Sequence, residues 1–181
     1  MITVKHISKS FADVQILKDV SFVFETGKTN LIIGKSGSGK SVLTKCIVGL
    51  FEPDEGEIFY DERKLSDLKP KARKEIRKEI GMLFQASALF DSLTVEENVA
   101  FPLNMFTKMT KEEISDRVNF CLNRVNIINK NQLFPSELSG GMQKRVAIAR
   151  AIAMQPKYLF CDEPNSGCLL YTSPSPRDSS K

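Results

Sequence analysis

A glycine-rich segment near residue 40 has the composition and spacing of a phosphate-binding loop. It fits the pattern G-x-x-x-x-G-K-S and consists of Gly34, Lys35, Ser36, Gly37, Ser38, Gly39, Lys40 and Ser41. Glycines let the backbone curl until successive N–H groups point at phosphate oxygens. We expect Lys40 to neutralise the β- and γ-phosphates and the Ser41 hydroxyl to bind Mg²⁺. The alternative, a flexible loop that binds nothing, is disfavoured because a strand pattern precedes the segment and a helix pattern follows it.

A second chemical feature is the acidic pair Asp162 and Glu163, which directly follows the apolar residues 158–161. In open α/β sheets, ligands bind at the carboxyl ends of the strands. Asp162 is therefore predicted to hold Mg²⁺, and Glu163 to orient or deprotonate an attacking water. An acidic pair alone is often only the start of a solvated loop, so this interpretation depends on the glycine-rich loop.

The elements that must position these residues alternate between strand and helix patterns. Alternating or continuous apolar runs predict an antiparallel pair within residues 1–25, a strand buried on both faces at 29–33, and strands at 57–60, 80–84 and 158–161. Helical spacing predicts helices at 39–50, 69–79, within 94–134 and at 140–154, with a capping box from Thr110 to Glu113. This order indicates an α/β domain.

Composition narrows the class of protein. The 181 residues are 41% hydrophobic and 27% charged, which is typical of one globular domain, and no apolar run approaches the length of a membrane span. The N-terminus lacks a secretory leader pattern, so we expect a cytosolic protein. Four cysteines without Cys-x-x-Cys spacing predict reduced core thiols. The net charge of +4 does not by itself indicate nucleic-acid binding.

A third motif, residues 138–143 (Leu-Ser-Gly-Gly-Met-Gln), opens the helix at 140–154, with Ser139 placed to cap it. By itself the motif could be only a serine-capped helix. Together with the loop and the acidic pair, it makes the chain resemble the ATP-binding subunits of ABC transporters over residues 1 to about 167. The resemblance implies a P-loop NTPase with a RecA-like core, an antiparallel β subdomain, and a helical signature lobe at about 86–154.

The resemblance also assigns roles to individual residues. In this family two domains pack head to tail, so Ser139, Gly140 and Gly141 of one subunit would close over ATP held by the other. Phe11 resembles the aromatic residue that stacks on adenine; the less favoured alternative is an ordinary buried core phenylalanine. Gln85 resembles the glutamine that senses Mg²⁺ and the reacting water, although it could be an ordinary polar loop residue. ATP and Mg²⁺ are the implied cofactors.

The partners follow from a finer likeness. Residues 84–103, together with residues 135–137 (Pro-Ser-Glu) before the third motif, look most like the ATPases of bacterial Mla and Mce lipid-trafficking systems. This implies a homodimer on a transmembrane permease, an Mce-domain lipid-binding protein, a lipid cargo and a place on the cytosolic face of the bacterial inner membrane; no nucleic acid is expected. Leu89, Phe90 and Leu93 would either dock the permease or pack the helical lobe. The basic stretch 69–78 is interpreted as a solvated helix face rather than a lipid-headgroup or nucleic-acid patch.

The likeness stops after Gly167. The family continues with Leu-Asp-Pro and later a switch histidine, whereas Cys168 follows here and the only histidine is His6. Residues 168–181 resemble a translated sequencing adapter, so we expect an incomplete domain at 1–167, with the C-terminal part of the core missing, and an artefactual tail. ATP hydrolysis is expected of the parent protein. The alternatives are an ABC ATPase that acts on nucleic acid or ribosomes, and an inactive fragment.

Overall fold

Strands β1 (Ile2–Phe11) and β2 (Val14–Phe24) form the antiparallel pair that the alternating sequence predicts. The structure is a computed structural model that describes residues 1–84 and 87–162. The other edge of β1 pairs antiparallel with β3 (Glu55–Tyr60), which in turn pairs with the short β4 (Arg63–Lys64). Gly56 adopts φ +91°, and a side chain there would collide with the carbonyls of Lys5 and His6. Glycine therefore permits the close approach of β3 to β1.

Two helices pack against this four-stranded sheet. Helix α1 (Lys40–Ile47) follows the glycine-rich loop, and α2 (Pro70–Lys78) has its proline in the first turn, where no backbone N–H is needed. The Tyr60 hydroxyl is buried and donates to the Ile47 carbonyl at 2.9 Å. The shared core contains mainly aliphatic side chains: Ile2, Val4, Ile7, Leu17, Leu43, Cys46, Ile47, Ile58, Tyr60 and Ile76.

A second sheet positions Asp162. Strand β5 (Ile80–Leu83) lies parallel to β6 (Tyr158–Cys161), with Leu83 opposite Cys161. The Asp162 N–H extends the ladder by donating to the Leu83 carbonyl at 2.9 Å. Both strands therefore end at the same edge, which is where the sequence predicts the metal ligands.

The helical lobe consists of α3 (Val95–Phe106), α4 (Lys111–Arg124), a 3₁₀ turn (Pro135–Glu137) and α5 (Gly140–Ile152). The capping box at Thr110 and Glu113 is confirmed, and a second one lies at Thr94 and Glu97. The lobe has its own core, formed by Val95, Val99, Leu103, Val118, Cys121, Leu122, Ile127, Val146 and Ala149 among others. The predicted α/β fold with an antiparallel subdomain and a helical lobe is thus confirmed.

The strand predicted at residues 29–33 is wrong. The segment has no regular secondary structure, and its apolar side chains Leu31 and Ile33 are 78% and 84% exposed. A strand buried on both faces needs hydrogen-bonded neighbours and covering side chains, and within residues 1–84 and 87–162 no strand pairs with this segment.

The cysteine prediction is partly wrong. Cys46 and Cys121 are buried thiols, but Cys161 is exposed because alternate residues of β6 face outward; Cys168 lies outside the described residues. Across the described part of the chain, no helix has both the length and the apolar character needed to span a bilayer.

Candidate functional site

The glycine-rich loop takes the curled shape that its composition predicts. Gly37 and Gly39 adopt φ values of +77° and +89°, which residues with side chains rarely reach. The Ser38 N–H donates to the Lys35 carbonyl at 3.2 Å, which closes a turn. Residues 34–38 are exposed, so the loop is open to a ligand, and α1 begins directly behind it.

Lys40 lies across the mouth of this loop. Its ammonium donates to the carbonyls of Gly34 and Lys35, both at 2.9 Å. An ammonium has three donors, so one N–H is left for a ligand oxygen. Leu43, Cys46 and Ile47 are buried and fix α1 to the sheet. The lysine is thereby positioned by both its own contacts and the packing of its helix.

Ser41 and Asp162 lie together although 121 residues separate them in the sequence. The Ser41 hydroxyl donates to Asp162 Oδ1 at 3.0 Å. Adjacent ligands of an octahedral Mg²⁺, each with an ideal bond of 2.0–2.1 Å, are about 2.9 Å apart, so the two oxygens fit one ion. Both are hard oxygen donors, which suits Mg²⁺. Among the described residues no group of three His, Cys, Asp or Glu side chains forms a metal site.

Helix α5 presents its amino end to solvent. The Ser139 hydroxyl accepts a hydrogen bond from the Met142 N–H at 3.3 Å and so caps the helix. A Cβ added to Gly140 or Gly141 would meet no atom within 4 Å. The Gln143 side chain donates to the carbonyls of Pro135 and Leu138 and fixes the preceding segment. Two uncovered glycines at a helix N-terminus leave room for a close approach by an anion.

The described hydrogen bonds do not connect the loop at 34–41 with Ser139–Gly141, and α1 and α5 belong to different cores.

Phe11 ends β1 and is 42% exposed, so it is not the buried core residue considered as the alternative. Its ring contacts Phe51 edge-on, with centroids 5.4 Å apart. Gln85 and Glu163 lie outside the described residues, and their roles stay predictions.

The apolar residues predicted either to dock the permease or to pack the helical lobe differ in their surroundings. Leu89 packs against the helical core, whereas Phe90 is 42% exposed. In the basic helix α2, Lys78 pairs with Glu75 at 2.9 Å, as a solvated helix face would.

Sequence reasoning missed Arg150 and Asn98. The Asn98 side chain is completely buried and bonds the backbone of the segment before α3, while Arg150 donates to the Ser87 carbonyl at 2.9 Å. A charged residue inside the otherwise apolar stretch 146–152 is the signal that could have revealed Arg150.

Comparison with known proteins settles the family. A family model described as "ABC transporter" matches residues 17–166. The chain belongs to the ABC transporter family. The methionine import ATP-binding protein MetN of Clostridioides difficile is 45% identical over 166 residues, which are 92% of this chain and 51% of that protein. The probable ribonucleotide transport ATP-binding protein mkl of Mycobacterium leprae is 41% identical over 166 residues, 92% of this chain and 48% of the other.

Solved structures of ABC cassettes share the fold. The dimeric structure of MJ0796, a bacterial ABC transporter cassette, gives a TM-score of 0.87 at 36% identity and covers 93% of this chain and 76% of its own. A dimeric post-hydrolysis state of the same cassette, bound to ADP and Pi, gives a TM-score of 0.84 at 36% identity. The match covers 91% of this chain and 74% of the cassette. The chain spans about half the length of the curated relatives it matches.

Proposed function

We propose that this protein is the ATP-hydrolysing subunit that powers an ABC transporter. The observation that supports the proposal most strongly is the 3.0 Å contact between Ser41 and Asp162, because it joins the phosphate-binding loop to the acidic end of β6. Neither feature alone defines a site for a metal-bound nucleotide. Membership of the ABC transporter family supports the same assignment.

The residues of the chain divide the chemistry between them. The amides of residues 34–41 and the free N–H of Lys40 bind the phosphates, and the Phe11 ring stacks on the base. Mg²⁺ held by Ser41 and Asp162 would neutralise charge on the β- and γ-phosphates. Glu163 orients and deprotonates the attacking water, and Gln85 senses it. As the water oxygen bonds to the γ-phosphorus, its proton passes to the Glu163 carboxylate, and the bond between the γ-phosphorus and the β–γ bridging oxygen breaks, so that ADP leaves with that oxygen.

A second copy completes the site in this proposal. Ser139, Gly140 and Gly141 of one subunit close over the nucleotide bound to the loop of the other. The open space at both glycines and the dimeric solved cassettes support this arrangement. ATP binding then favours the dimer, and hydrolysis weakens it by removing the phosphate that both subunits contact.

We propose that residues 1–167 form the ATP-binding domain and that residues 168–181 do not belong to it. The family match ends at residue 166, which supports this boundary. Long-read sequencing of the locus tests it: Leu-Asp after Gly167 supports the proposal, and a natural Cys-Leu-Leu-Tyr continuation contradicts it. Below, the full-length protein means the natural product of this locus, with its own sequence after Gly167 in place of residues 168–181.

Phosphate release from MgATP by the full-length protein, alone and with its membrane subunit, tests the enzymatic function directly. We expect turnover that Lys40→Ala abolishes. Turnover that Lys40→Ala leaves unchanged, or its absence in the assembled complex, would reject the proposal. An ATPase stimulated by RNA or ribosomes instead of the membrane subunit would support the alternative class.

For the cargo we propose a phospholipid or lipid-like molecule, delivered with a transmembrane permease and an Mce-domain partner at the cytosolic face of the bacterial inner membrane. The resemblance of residues 84–103 to the ATPases of Mla and Mce lipid-trafficking systems supports it. Methionine is the competing cargo, because a methionine import protein is 45% identical. Reconstituted complex in proteoliposomes distinguishes them: ATP-dependent movement of labelled phospholipid supports the lipid proposal, and uptake of labelled methionine alone overturns it.

A further inference from the structure

The loop between β5 and α3 contains two residues in a costly backbone conformation. Ser87 and Ala88 have φ values of +59° and +49°, the left-handed region that serine and alanine rarely adopt. Ser87 is 6% exposed, and its N–H donates to the Phe84 carbonyl at 3.1 Å. Because this conformation is unfavourable in isolation, surrounding side chains must hold it.

Arg150, in the last turn of α5, supplies one of these contacts. Its Nη2 donates to the Ser87 carbonyl at 2.9 Å, and its guanidinium carbon lies 5.6 Å from the centre of the Phe90 ring. Burial lowers the pKa of Arg150, since part of its charge is withdrawn from water. The partly desolvated Arg150 guanidinium and the strained backbone at Ser87 are each unfavourable alone. The hydrogen bond between them stabilises both.

Asn98 of α3 holds the other end of the same loop. The Phe90 N–H donates to Asn98 Oδ1 at 2.8 Å, and Asn98 Nδ2 donates to the Phe90 carbonyl at 3.0 Å. The segment 87–90 is therefore fixed to α3 by a fully buried amide and to α5 by the guanidinium of Arg150. Of these two helices, α5 is the one whose amino end carries the exposed Ser139, Gly140 and Gly141.

We propose that Arg150 is a positioning residue that couples the amino end of α5 to the loop that follows Gln85. The inference rests on the proposed function and adds a route between the two nucleotide sites. Helix α5 is about 20 Å long. When Ser139 and the two glycines close on the partner's nucleotide, a rigid α5 moves Arg150, and the bond to the Ser87 carbonyl moves the backbone two residues from Gln85.

The test compares two arginines of the same helix in the full-length protein. Arg145 is the matched control, because its described hydrogen bonds also go to backbone carbonyls, but to those of Val125 and Asn126 rather than to the loop at 87–90. For Arg150→Gln we expect the rate of hydrogen–deuterium exchange at the Ser87 and Phe90 backbone amides to rise about 10- to 100-fold. This is the effect of losing a hydrogen bond to a charged group. We expect kcat to fall about tenfold or more, with KM for ATP within about twofold.

Two further variants separate positioning from general stability. Arg150→Lys keeps the cation and a donor, so it should recover part of kcat. Ala88→Gly makes the left-handed conformation inexpensive, so adding it to Arg150→Gln should restore kcat at least about threefold.

Equal behaviour of Arg150→Gln and Arg145→Gln in exchange and kcat, or no recovery in either further variant, would overturn the inference alone. A wild-type protein without turnover would reject the proposed function, and this inference with it.

Discussion

Replacing Ser41 by alanine should weaken the binding of MgATP much more than the binding of metal-free ATP. In the free protein the change removes one 3.0 Å hydrogen bond to a carboxylate, at a cost of about 1.5 kcal/mol in unfolding free energy, the low end for a bond to a charged group because Asp162 is partly exposed. In the complex it removes an oxygen ligand of the ion. We expect MgATP affinity to fall at least about tenfold, or 1.4 kcal/mol, whereas affinity for ATP in EDTA changes by less than about twofold.

Calorimetric titration with and without EDTA measures both affinities. Asp162→Asn should produce the same pattern, and the double variant should lose less than the sum of the two, because both residues hold one ion. Thr44→Ala is the control: it removes a hydroxyl one turn further along α1 that donates to the Lys40 carbonyl at 3.0 Å and should leave the magnesium dependence unchanged. Equal weakening of both affinities by Ser41→Ala would refute the assignment of Ser41 as a ligand.

Three further predictions concern the remaining parts of the site and the fold. Glu163→Gln should retain ATP but lower phosphate release about 10²-fold or more, and unchanged release would remove Glu163 from its role. Gly141→Ala should leave unfolding free energy equal or up to about 1 kcal/mol higher, since its Cβ meets no atom, yet reduce ATP-dependent dimerisation in sedimentation; a normal dimer would contradict this. Asp61→Asn should lower unfolding free energy at pH 7 by less than about 1 kcal/mol, because the ion pair is exposed. Lys157 and the amino terminus hold the pKa of Asp61 below its usual range, so this difference should be present above about pH 4 and vanish as pH falls through the lowered value; urea titrations in which it persists in acid would count against the pairing.

Local signals predicted the helical lobe well. The capping box at Thr110 and Glu113 and the cap at Ser139 are formed by neighbouring residues, so their sequence spacing determines them. The run at 29–33 misled the prediction because a buried strand depends on partners elsewhere in the chain. Leu31 and Ile33 are apolar enough for a strand, but the described part of the chain offers them no neighbouring strand.

The candidate site shows the same division. The glycines and Lys40 are contiguous, so one motif predicts them together. The types of the two motifs predict Ser41 and Asp162 as ligands of Mg²⁺, but the contact between them joins residues 121 positions apart and depends on tertiary packing that local spacing does not encode. Sequence reasoning missed Asn98 and Arg150 because the hydrogen bonds of a polar side chain within a helix depend on which backbone groups the folded chain places against it.

The central claim is that residues 34–41, with Asp162, bind the triphosphate of a magnesium-bound ATP. Titration of MgATP into the full-length protein by calorimetry, beside Lys40→Ala, tests it most directly. We predict saturable binding at one site per chain, which Lys40→Ala weakens at least about 100-fold by removing the cation at the mouth of the loop. Absence of binding, or equal affinity in the Lys40→Ala variant, would contradict the claim.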